Sequence, residues 1–214
     1  MDEKEPSELE RPEPRQDLAD RYQQMLDRQL TAISNFDTKA WRVARMVGIL
    51  LGIFFTGASI FSSNLKIKVS VELVPIIGSV AVGLIALILS LIFAALCILS
   101  TTAGFGIRVE LADALNEGSL DKEDYPGIVA KGYAKNVDNN IKVMQAKGRR
   151  LRYALSSLIF GIVELSTGAF LLFTTPSLLA QSLTVLLMTL LTSGIVVYIL
   201  QMRYSVLKSE ENEE

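Results

Sequence analysis

Glu164 is the one ionisable residue set deep among apolar ones, in YALSSLIFGIVELSTGAFLLF at residues 153–173. An ionised carboxylate at mid-membrane costs about 2.5 kcal/mol or more, so this group should be protonated, solvated or paired. Ser157, Gly161 and Gly168 share its helical face at steps of four, three and four. Such a face suits another helix better than lipid. Thr189, Thr192 and Ser193 fall at similar depth in the last apolar stretch and are the expected neighbours. Two chemistries fit: a pore-lining or proton-sensing carboxyl, or a neutral carboxyl hydrogen-bonded to hydroxyls and joining two helices.

Other reactive constellations are absent from the sequence. There is no histidine, which excludes imidazole metal sites, His-based triads and His proton relays. Cys97 is the sole cysteine, so no intrachain disulfide is available. Gly104 and Gly106 form a Gly-x-Gly with neither a preceding strand nor a following Gly-Lys-Ser/Thr, so it is no phosphate loop. The chain therefore reads as non-enzymatic, with no metal and no cofactor. A net charge of −2, without a basic cluster interleaved with aromatics, points away from nucleic acid.

Asp37 and Lys39 stand just before the first apolar stretch and, taken alone, read as ordinary interfacial charges. Trp41 belongs at the same interface. Arg42 and Arg45 follow, where long cationic side chains can snorkel to headgroups.

The elements that must position these residues follow from segregation. Half of the 214 residues are hydrophobic, and they collect in four blocks that nearly exclude charge. The expected fold is all-α: a polytopic membrane protein with four transmembrane helices and two amphipathic cytosolic helical extensions. Residues 1–16 read as a disordered tail without a signal peptide's apolar core. Residues 17–42 carry Leu18, Tyr22, Met25, Leu26, Leu30, Ile33 and Phe36 at helical steps, an amphipathic cytosolic helix. The first span follows at 43–61 with no break before it, so both parts should be one rod. Within that span Gly48, Gly52 and Thr56 form a small-residue row suited to close helix packing.

Residues 62–75 alternate apolar and polar side chains, which fits either a short extended strand or an irregular surface loop. Pro75 favours a helix start, and the second span is expected at 76–100. There Val82, Ala86, Ser90 and Ala94 line one face. Residues 101–152 form the cytosolic segment: a short helix stopped by Gly118, a turn at Ser119 and at Tyr125-Pro126-Gly127, then a stripe through Val129, Tyr133, Val137, Ile141, Met144, Gly148, Leu151 and Leu155. That stripe enters the third span, 153–173, giving one helix of more than 40 residues. An uncharged hairpin at 174–182, a fourth span at 183–200 and an acidic cytosolic tail at 201–214 complete the chain.

Lys and Arg set the expected orientation. Residues 1–45 hold eight and 105–152 hold nine, against two after the first span and none after the third. Both termini are therefore expected in the cytoplasm, in a multi-pass cell-membrane protein. A weak parallel repeat agrees, with Thr-Gly-Ala at 56–58 and 167–169 and Lys-small-x-Arg at 39–42 and 147–150.

The Asp37-Thr38-Lys39-Ala40 step resembles the Pycsar membrane-effector family of nucleotide-signalled antiphage systems. The later YAKNVDNNIKVMQAKGRRLRYALSSLIFG, residues 133–161, is similar to that family's cationic helix re-entering the membrane. The resemblance implies a cell-membrane protein that assembles on a cyclic nucleotide signal and impairs membrane integrity. The chain departs from it in having no separate nucleotide-binding domain. Three functions are thus expected in order: an oligomerising effector acting on the bilayer, a scaffold binding a cytosolic protein partner, and a small ion or proton pathway using Glu164.

Overall fold

The computed structural model describes residues 14–64, 71–99, 125–174 and 177–201. These residues form four α-helices and one short 3-10 turn, with no strand among them. Helix α1 is Pro14–Asn64, α2 is Val74–Leu99, α3 is Tyr125–Thr174 and α4 is Leu178–Gln201. All four are long and apolar enough to cross a membrane.

Helix α1 runs 51 residues and α3 runs 50. Proline stands only in their first turns, where the missing N–H is not needed. Tyr125, Pro126 and Gly127 belong to the first turn of α3 instead of a preceding loop. The expected short helix ending at Gly118, and Ser119, lie outside the described residues.

The alternating segment resolves differently at its end. Residues 65–70 lie outside the described residues, while Val71–Leu73 form the 3-10 turn and Val74 already opens α2. Most of the expected hairpin is likewise helical. The Gln181 N–H donates to Ser177 O at 3.0 Å, starting α4 several residues before position 183.

Two compact units divide the chain, one holding the described residues of Met1–Asn35 and Thr101–Ala146 and the other those of Phe36–Ser100 and Lys147–Glu214. In the first, α1 buries Leu26, Gln29 and Ile33, and α3 buries Val129, Ala130, Val137 and Asn140. The polar Gln29 and Asn140 occupy positions that a purely apolar stripe assigns to Leu30 and Ile141. Along α1 the buried residues Leu26, Gln29, Ile33, Ala40, Val43 and Val47 step by three, four, seven, three and four. That is the 3.5-residue average of supercoiled helix packing.

The second unit contains the main core. Ala40, Val43 and Val47 of α1, Leu87, Ala94 and Cys97 of α2, and Leu151, Ala154 and Leu158 of α3 pack together. In the most apolar stretches of α2 and α3, 33% and 39% of residues are buried, against 11% in α1 and 6% in α4. The centre is thus the α2–α3 pair, with α1 and α4 at its flanks.

Candidate functional site

The α2–α3 pair is antiparallel and in constant register. Ser79 Oγ donates to Glu164 O at 2.8 Å, Ser90 Oγ to Ala154 O at 2.7 Å, and Cys97 Sγ to Lys147 O at 3.6 Å. As α2 advances by eleven and then seven residues, α3 retreats by ten and then seven. Close approach is possible because small residues face each other. A Cβ on Gly161 would stand 2.8 Å from Leu87 Cδ2 and 3.0 Å from Gly83 O, and one on Gly83 would stand 3.0 Å from Leu165 N. On Gly168 it would meet Val80 Cγ2 at 2.6 Å. Ala86, Ser90 and Ala94 are buried on α2, whereas Val82 is 43% exposed. Gly83 and Ser79 complete this seam and were not anticipated.

Glu164 sits at the far end of that seam and is buried. Thr189 Oγ1 on α4 donates to its Oε1 at 2.7 Å, and Ser79 Oγ on α2 lies 2.9 Å from Oε2. Ser79 thus has two Glu164 oxygens within reach and one hydrogen to give. Both carboxyl oxygens have a hydroxyl of a neighbouring helix within hydrogen-bond distance, as buried polar groups require. The carboxyl joins three helices. Thr192 is buried nearby and donates to Met188 O of its own helix, and Ser193 is half-buried.

A second polar centre lies at the opposite end of α2. Lys147 has no exposed side-chain surface; its Nζ pairs with Asp37 of α1 and donates to Cys97 O at 2.9 Å. Arg150 Nη1 donates to Leu96 O at 3.1 Å. Leu96 and Cys97 belong to the last four residues of α2, whose carbonyls have no intrahelical partner. Helix α2 has no basic residue in its last turn, so two cations from α3 supply both the missing donors and the positive charge its dipole favours. Asp37 is therefore not an ordinary interfacial charge but the counter-ion of a buried lysine. Lys39, Trp41, Arg42 and Arg45 are exposed on α1.

Gly48, Gly52 and Thr56 differ from the other small-residue positions. All three are exposed, and nothing lies within 4 Å of a Cβ built on either glycine. Thr56 Oγ1 donates only to Gly52 O, back into its own helix, at 2.8 Å. The expected packing row on α1 meets no other described element.

Comparison with family models, curated proteins and solved structures gave no match. No group of three or more His, Cys, Asp or Glu side chains is placed to hold a metal among the described residues.

Proposed function

We propose that this is a multi-pass cell-membrane protein, with both termini cytoplasmic, that self-associates through α1 and perturbs the bilayer when triggered through its cytosolic helices. The observation carrying this reading is the open Gly48/Gly52/Thr56 face. Small residues at steps of four let helix backbones approach in lipid, and here they have no partner among the described residues of one copy. The α2–α3 seam uses the same device internally at Gly83 and Gly161, and it is filled. The trigger, a cytosolic protein or a cyclic nucleotide, would act on the unit that includes Leu26, Gln29 and Ile33. A cell-based voltage dye tests the outcome: expression should depolarise the membrane, and an unchanged potential at high expression would count against the reading.

A membrane-anchored scaffold is the second reading. It draws on a half-open cleft of about 250 Å³ in the N-terminal unit, lined by Leu18, Tyr22, Gly127 and Ala130. Stoichiometric capture of one cytosolic protein, lost in Leu18→Asp, would favour it. A proton pathway through Glu164 has less support, because its carboxyl is saturated by Ser79 and Thr189 and buried from solvent.

A further inference from the structure

We propose that a groove bounded by α2, α3 and α4 binds one acyl chain of an anionic glycerophospholipid, with Ser156 donating a hydrogen bond to its ester carbonyl. The groove holds about 280 Å³ and is lined by Ala86, Leu89, Tyr153, Ser156, Phe160 and Val196 among others. Ser156 is 3% exposed and its hydroxyl has no hydrogen-bond partner. Ser79 and Ser90 on the facing helix, and Thr167, Thr184 and Thr192, all donate to carbonyls. A buried hydroxyl left unsatisfied costs about 1–3 kcal/mol. A turn of the Ser156 χ1 toward the groove brings its hydroxyl to an acceptor seated there.

The remaining lining is largely apolar, so the occupant must be mostly hydrocarbon. It must also be narrow, since a helix is about 10–12 Å across with its side chains and the groove is too small for one. An acyl chain bearing a carbonyl meets both demands. The headgroup follows from charge. Arg152 and Arg149 lie on the Ser156 face, four and seven residues earlier, or roughly 6 and 10 Å along the helix at 1.5 Å per residue. Arg149 is exposed. These guanidinium groups stand on the headgroup side of the ester, where a phosphate accepts from them. The site depends on membrane placement of these helices and not on self-association through α1.

The test uses the full chain in phosphatidylcholine nanodiscs doped with phosphatidylglycerol carrying a mid-chain diazirine, with crosslinks mapped by mass spectrometry. Labelling should concentrate on peptides containing Ala86, Leu89 and Phe160 over those containing the exposed Ile49 and Ile53 of α1. Ser156→Ala should lower it roughly two- to tenfold, as expected for one hydrogen bond. Ser156→Thr should retain it, and Val196→Trp should block the groove. Thermal midpoints in detergent show which variants are folded. Labelling spread evenly over all apolar faces would overturn the proposal. So would labelling by folded Ser156→Ala and Val196→Trp at the unsubstituted level, or equal labelling by a phosphatidylcholine probe.

Discussion

Lys147 on α3, with no exposed side-chain surface, pairs with Asp37 on α1, whose side chain is 30% exposed. The asymmetry decides which partner is costlier to lose. Asp37→Ala takes the carboxylate away from a fully buried ammonium that also donates to the Cys97 carbonyl, and roughly 3–5 kcal/mol of destabilisation is expected. Lys147→Met leaves a carboxylate that water can reach, so the loss should be smaller. Denaturant titration of the purified protein in detergent checks the order, and Lys147→Met proving the worse of the two would contradict it.

The Glu164 hydrogen-bond count makes a separate claim. Gln has the same shape, donates through its amide to Ser79 and accepts from Thr189, so Glu164→Gln should change stability by less than about 1 kcal/mol. Glu164→Leu removes both side-chain bonds and strands the Thr189 hydroxyl, while Ser79 keeps the backbone carbonyl of residue 164, and should cost about 1–3 kcal/mol. Equal destabilisation by Gln and Leu would show that the hydrogen bonds to Ser79 and Thr189 carry none of the stability at this position.

Glycines that look alike in sequence should respond differently. Gly161→Ala and Gly83→Ala each place a Cβ 3.0 Å from backbone atoms of the facing helix, which side-chain rotation cannot relieve. Each should lower stability by about 1–3 kcal/mol. Gly48→Ala has open space and should leave the stability of a single copy unchanged. Thermal unfolding at dilute protein separates the two classes; a large loss in Gly48→Ala under those conditions would show that its face is already covered.

These contrasts explain what could be read from sequence. The long helices were legible because no proline or turn cluster interrupts residues 17–61 or 128–173. The α2–α3 seam was partly legible, through Ala86, Ser90, Ala94, Gly161 and Gly168, because small residues recur every three, four or seven positions. Gly83 and Ser79 were missed because α2 is apolar or small all round, so no polar contrast marks the buried side. Lys147 and Asn140 were missed for the opposite reason. A hydropathy stripe assigns charged and amide side chains to the surface, and only a partner distant in sequence, Asp37 for Lys147, makes burial tolerable. The Gly48/Gly52 row carries the same pattern as the filled seam, and its openness appears only once the neighbouring helices are placed.

Self-association through that open row is tested most directly by dye release from liposomes reconstituted at increasing protein-to-lipid ratio. Release should rise more steeply than in proportion to protein, and should be lost in Gly48→Leu/Gly52→Leu while the monomer remains folded. Release proportional to protein, unchanged by that double substitution, or no release at any ratio, would contradict it.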